Sequence, residues 1–391
     1  MYNLKTISQT KNSRGFMKNF SSLSPFKKRY IPIFSAMGAL FIFSIIFIFA
    51  FPTAIITIIE PKKETSEKSG WPTRLAAPYI DMSSWVDTAS AYSLSGAPDL
   101  GKLYDETGFK YFNLGFIQPD TTTPIAEDGN IRWGWGGYYV LGKKGSEGTN
   151  AQYKGIVQSL INLRSRGGDF AISVGGQVGA APWVVTQNQT ALENFYLDII
   201  GTYELKRLDL DIEESNQDYN QNKINAKAIK NIQEKTNVEI TLTIPIMPSG
   251  WQEKQINIIK AYIDAGVDIA LINSMTMCYG SGVYENEDYG TASIRAITNS
   301  IKQLKQIYAD FGLSLTDEEA YLKTGATFSI GYENSLYPTF TTDMAETIVN
   351  DAIKNKYGMI SFWSMGRDAI LETNSAINKQ YTYTNVLKQF K

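Results

Sequence analysis

Apolar residues run without a charge from Ile31 to Ile59, and beyond residue 79 they break into short runs separated by longer, spaced patterns. The first stretch is apolar all round, with neither the alternation of a strand nor the stripe of a surface helix. Between Pro32 and Pro52 lie 19 residues, mostly Ile, Phe, Ala and Leu. As a helix they would reach about 28 Å, close to the hydrocarbon thickness of a bilayer. The pattern predicts one transmembrane helix within residues 31–59. A cleaved signal peptide competes with an uncleaved signal anchor. The run exceeds the usual apolar core of about 7–15 residues, and Pro52-Thr53-Ala54 is a poor cleavage site, which favours the anchor.

The second pattern predicts strands at Tyr79–Met82, Tyr111–Ile117, Phe170–Val174, Arg207–Ile212, Glu239–Pro245, Ile269–Met277, Ala326–Ile330 and Met359–Trp363. Spacings of three to four between apolar residues predict helices at Asn194–Tyr203, Asn222–Thr236, Gln255–Ala265, Thr291–Phe311 and Thr342–Lys356. Gly266 and Gly312 stand where helix C-caps belong. This alternation fits an α/β fold, a (β/α)₈ TIM barrel preceded by the transmembrane helix. A doubly wound open sheet is the alternative, weakened by the lack of a Gly-rich phosphate turn after the first strand. Gln118–Gly155 reads as an elaborated loop after the second strand, on the face where barrel sites lie. Residues 60–70 (EPKKETSEKSG) have linker composition, so the plan is a basic segment 1–30, an anchor 31–59, a linker 60–70 and a barrel domain 71–391.

Charge gives the chain a direction. Residues 1–30 hold seven Lys and Arg and no acid; with a net formal charge of −2, the remainder carries −9. The basic flank places residues 1–30 in the cytoplasm and the body outside, anchored or, if the segment is cut, secreted. An acidic body argues against nucleic acid as a partner. Composition then limits the chemistry. There is no histidine and one cysteine, Cys278. That removes Ser-His-Asp triads, His-ligated zinc, Cys-rich metal sites and internal disulfides. Acid–base work must rest on carboxylates, tyrosines or lysines. No metal or other cofactor is expected.

Leu208-Asp209-Leu210-Asp211-Ile212-Glu213-Glu214 carries that chemistry. In a strand Asp209, Asp211 and Glu213 share one face and the apolar residues the other. Inside a barrel the acids would stack towards its mouth. On an edge strand they would form a solvated face, an equally good reading of the pattern. Stacked acids cannot all ionise cheaply, so one stays protonated, and Glu213 at the strand end is best placed as a general acid.

Asp209-x-Asp211-x-Glu213 resembles the DxxDxDxE signature of family 18 glycoside hydrolases, the chitinases. Ser173-Val174-Gly175-Gly176, Trp135-Gly136-Gly137, Leu242–Pro248, Met275–Gly280 and Phe362–Asp368 are similar to elements of the bacterial branch, in barrel order over residues 76–388. The resemblance implies a substrate-assisted, retaining reaction in which the sugar's own 2-acetamido oxygen is the nucleophile. It implies Glu213 as acid/base, Asp211 as the group orienting the acetamide, and Asp209 tuning Asp211 from below. Tyr279 would bind the acetamido carbonyl, Met277 line the pocket, and Trp363 form the floor under the sugar. Trp135, with Trp133, would stack on sugar rings or only close its own loop. The substrate implied is chitin or chito-oligosaccharide; peptidoglycan or N-glycan cores, or glycan binding without catalysis, are the alternatives. Three positions depart from the pattern: Lys206 replaces the first acid, Cys278 an Asp, and Glu214 a frequent Gly.

Overall fold

The computed structural model describes residues 70–390 apart from Asn286. The basic segment, the anchor and nearly all of the linker lie outside the described residues. Among those described, no helix is long and apolar enough to cross a membrane.

Strand β1 comes in two pieces, Leu75–Ala76 and Tyr79–Asp81, broken at Pro78, which has no N–H for a ladder. It is followed by β2 (Tyr111–Pro119), β3 (Asp169–Gly175), β4 (Arg207–Asp211), β5 (Glu239–Pro245), β6 (Ile269–Met275), β7 (Thr324–Ser329) and β8 (Met359–Trp363). Each pairs in parallel with the next. The first piece of β1 pairs with β8, Leu75 opposite Met359, and the second with β2, Tyr79 opposite Asn113. Between them Ala77 donates its amide to Ile360 O and accepts from Ser361 Oγ. The parallel sheet thus curls back to the strand it started from, the TIM-barrel arrangement.

Helices α1 (Leu100–Thr107), α2 (Ala151–Ser165), α3 (Gln189–Tyr203), α4 (Tyr219–Thr236), α5 (Glu253–Asp264), α6 (Tyr289–Asp310) and α7 (Thr342–Asn355) connect successive strands, and α8 (Thr382–Leu387) follows the last. Several start earlier than their apolar spacing suggests because their first turns are polar. Asn188, Asp218 and Asp288 cap α3, α4 and α6 by accepting backbone N–H groups. The segment Gln118–Gly155 is not all loop. Trp133–Trp135 folds back antiparallel on β2, and α2 begins at Ala151. β6 stops two residues early: Thr276 still bonds Thr327 O, but Cys278 turns left-handed with φ 54°.

β4 is not an edge. It is flanked by β3 and β5, which decides between the two readings of its acids. Leu208, Leu210 and Ile212 are fully buried in the apolar cluster that includes Phe195 of α3 and Ile229 and Ile232 of α4. At about 25 cal/mol per Å², each such side chain contributes about 2 kcal/mol. That outward anchorage obliges the alternate residues, Asp209 and Asp211, to point inwards. At the end where the strands begin, Trp71, Leu75, Ala77, Ala171, Leu271 and Met359 form a second apolar cluster.

Candidate active site

Asp209 sits fully buried at mid-height of the barrel. It accepts from Tyr79 Oη of β1 (2.8 Å), Ser173 Oγ of β3 (2.7 Å) and Thr243 Oγ1 of β5 (2.7 Å). Desolvation raises its pKa to about 6; those three hydroxyls oppose the rise. One step up, Asp211 is 3% exposed and its Oδ1 has no hydrogen-bond partner. Burial first, then the charges of Glu213 and Asp209, hold its carboxyl well above the carboxylate range. An unpartnered buried oxygen costs about 1–3 kcal/mol, so this atom is poised to receive a ligand.

Glu213 lies just past β4 in extended backbone, half-buried. Burial and then the neighbouring Glu214 raise it to about 7. An acid near neutrality can deliver a proton and take it back. Glu214 is exposed, at φ 44°. That left-handed conformation gives glycine an advantage there. Gly175 serves a related purpose on β3: a Cβ there would lie 2.1 Å from Asp211 O. The SxGG element therefore lets β3 close against β4 beside the carboxylates.

Trp363 ends β8, half-buried, with a cis peptide to Ser364. Its ring stacks on Phe116 at 5.6 Å and lies 6.5 Å from Tyr79, which hydrogen-bonds Asp209. The indole therefore belongs to the same end of the barrel as the acids. Met277 is half-buried, beyond the end of β6.

Two expected residues give their polar atoms to partners other than the carboxylates. Tyr279 is buried against Tyr289, and its hydroxyl pairs with Ser293 Oγ of α6 at 3.1 Å. The left-handed turn at Cys278 sends it outwards to that helix. Trp135 is fully buried, its indole N–H given to Tyr203 Oη of α3 at 3.0 Å. It closes its own loop and offers no face to a sugar. Lys206 lies at the opposite end of β4, 3.6 Å from Asp169. Cys278 is exposed at the mouth; partial desolvation, then Glu333, push its thiol up to about 12, so it remains a thiol at neutral pH.

The sequence reading missed the partners of Asp209. Tyr79 and Thr243 bond it directly, and Asn273 of β6 bonds both of them. The available signal was a polar residue inside an apolar strand, as in Ile269-Ala270-Leu271-Ile272-Asn273. At the mouth, Glu333 is held by Ser329 of β7 and by Arg367 after β8. A groove of about 710 Å³ opens beside Glu214, lined also by Asp218, Tyr219, Gln252 and Lys254. Among the described residues no cluster of acids or cysteine is arranged to hold a metal ion.

Comparison with known proteins finds similarity to chitinases. No family model matches the sequence. The chain is 29% identical over 321 residues to a probable bifunctional chitinase/lysozyme of Escherichia coli, covering 78% of this chain and 32% of that one. It is 28% identical over 314 residues to endochitinase 11 of Metarhizium anisopliae, covering 77% and 54%. The chain thus spans only a third to about half of these curated relatives. In structure it is similar to the catalytic domain of a hyperthermophilic chitinase from Pyrococcus furiosus: TM-score 0.65, 27% identity, 82% of this chain and 95% of that one. That active domain has also been solved as catalytic-site mutants with chito-oligosaccharides.

Proposed function

We propose that this chain, which belongs to the family 18 glycoside hydrolases, cleaves β-1,4-linked N-acetylglucosamine chains by a retaining, substrate-assisted reaction. The observation that carries the reading is the buried, unpartnered Oδ1 of Asp211 between a raised Glu213 and a hydrogen-bonded Asp209. Glu213 gives its proton to the glycosidic oxygen while the acetamido oxygen of the sugar attacks the anomeric carbon. The C–O bond to the leaving sugar breaks and an oxazolinium ion forms. Asp211 receives the acetamide N–H and offsets the positive charge. Water then attacks the anomeric carbon, Glu213 takes its proton back, and the configuration is retained. Trp363 is the apolar floor for the reacting sugar.

The test is hydrolysis of chito-oligosaccharides by residues 71–391. The expected result is retained-anomer products, with Glu213→Gln slower by at least about a thousandfold, roughly 4 kcal/mol of barrier. Normal turnover by that variant would refute the assignment; binding without turnover by the unmutated body would make it a glycan-binding protein. The E. coli relative's name also raises peptidoglycan as a substrate, which product analysis on both polymers decides. The apolar run 31–59 supports a further reading, a body held outside the cytoplasm by an uncleaved anchor. A reporter fused at the C-terminus should be active only outside the membrane.

A further inference from the structure

Beneath the carboxylates, polar side chains from five strands meet in one hydrogen-bonded layer. Asn273 of β6 gives its amide N–H₂ to two oxygens at once, Tyr79 Oη at 3.2 Å and Thr243 Oγ1 at 3.0 Å. Its own carbonyl oxygen accepts from Thr327 Oγ1 of β7 at 2.8 Å. Gly325, opposite Asn273 on β7, leaves room for that carbonyl: a Cβ there would lie 2.9 Å from Asn273 Oδ1. The amide is therefore fixed with its donors facing β1 and β5.

We propose that Asn273 is a positioning residue that sets the direction of these hydrogen bonds and so keeps Asp209 ionised. The inference rests on the family 18 reading of the site. Each hydroxyl has one hydrogen to give and limited capacity to accept. Across the 2.9 Å between Tyr79 Oη and Thr243 Oγ1, either could donate to the other. With the Asn273 amide occupying an acceptor position on both, each is left with its hydrogen for the atoms they share, the oxygens of Asp209. Ser173 adds a third donor, and the phenol has little capacity left to accept a proton from Asp209.

The other groups facing Asp209 agree with this. Tyr79 stays protonated, pushed well above its ordinary value by burial and then by the negative charges of Asp209 and Asp211. Arg207, two residues below on β4, is the cation that acts on Asp209. β3 and β5 present Ser173 and Thr243, and β6 presents the amide. Asp211 stands above as a second acid. With the negative charge settled on Asp209, the proton is left to Glu213, where the glycosidic oxygen is reached.

The pH profile of kcat tests this. Asn273→Ala frees both hydroxyls to turn away, so Asp209 holds its proton to higher pH. The acid-side limb should move up by about one pH unit, lowering kcat about tenfold at pH 5 with KM unchanged. Thr327→Val, which releases the amide, should move the limb the same way by less; Thr327→Ser should leave it in place. An acid limb unmoved in a folded Asn273→Ala, or moved equally by Thr327→Val and Thr327→Ser, overturns the proposal. A merely structural loss would lower kcat by one factor at every pH. Melting temperature against pH reads the same titration without turnover. Asp209 is raised in the folded state, so its contribution falls as pH rises through its pKa, and in Asn273→Ala that fall should extend to higher pH. A body that cleaves neither polymer refutes the hydrolase reading, while the melting curves still decide for or against Asn273.

Discussion

The two ends of β4 handle charge in opposite ways. At its start the buried charges meet opposite ones, although Arg207 Nη1 has no hydrogen-bond partner. Arg207 donates to Glu239 Oε2 from Nε at 3.0 Å and Nη2 at 2.6 Å, and lies 4.6 Å over the Trp71 ring. Asp169 accepts from the Trp71 indole and from Arg164, both at 3.1 Å, with Lys206 nearby. Four residues further on, Asp211 has a buried oxygen with no partner. Asp209 is held by hydroxyls, and Glu213 gains only another acid as a neighbour. The first end spends its polar groups on holding the barrel shut. The second keeps an electrostatic debt that a ligand's N–H and a transient positive charge would discharge. One strand thus separates stability from chemistry over about 13 Å, at roughly 3.3 Å per residue.

Breaking the upper end should have the largest effect. Asp211→Asn removes the group that offsets oxazolinium charge, and hydrolysis should fall by about a hundred- to a thousandfold, roughly 3–4 kcal/mol. Initial rates on a chromogenic chito-oligosaccharide measure it. At the lower end Arg207→Met strands the Glu239 carboxylate and uncovers Trp71. Denaturant titration should show a loss of about 3 kcal/mol, with kcat of the folded fraction little changed above pH 7, where Asp209 is ionised with or without the guanidinium. A comparable loss of kcat would dissolve the contrast between the two ends.

Stability against pH sharpens the contrast. Glu213 is raised to about 7 in the folded chain, against 4.5 for an ordinary glutamate. Between those values the folded state binds more protons than the unfolded one, so its contribution is lost as pH rises through 7. Glu213→Gln cannot ionise. It should be more stable than the unmutated body by on the order of 2 kcal/mol at pH 8, and indistinguishable from it at pH 4. Melting curves at the two pH values settle this; a variant less stable at pH 8 would mean that the upper end carries no such debt.

The upper end was also the more legible in sequence. Three acids alternating with Leu208, Leu210 and Ile212 are a local pattern that puts the acids on one face; that this face points inward follows from the flanking strands β3 and β5. β5 and β8 lie where the apolar runs put them, because each run ends in Pro245 or before a helix start. The layer below the acids was not legible. Tyr79, Thr243, Asn273 and Thr327 are common residues on four strands, brought together only by register. Helix α1 escaped notice because it is only eight residues long, and α2 because polar residues dilute its apolar spacing. Tyr279 and Trp135 fit a motif, yet one left-handed residue and one short hairpin direct them elsewhere.

Glu214 allows the finest test, because it affects Glu213 through charge and its own backbone through strain. Its negative charge is the second cause holding the Glu213 proton. Its φ of 44° disfavours any residue with a Cβ. Two substitutions separate the effects. Glu214→Gln removes the charge and keeps the strain; Glu214→Gly removes both. In either variant Glu213 loses its proton at lower pH, so the alkaline limb of kcat, expected near 7 in the unmutated body, should move down by a few tenths of a unit. At pH 5, where Glu213 keeps its proton in either variant, only the glycine variant should gain stability, by about 0.5–1 kcal/mol. Equal limbs with unequal melting temperatures would show that charge at this end acts on the chemistry while the backbone acts on the fold. A limb that moves only in the glycine variant would instead make Glu213 sensitive to the turn and not to its neighbour's charge.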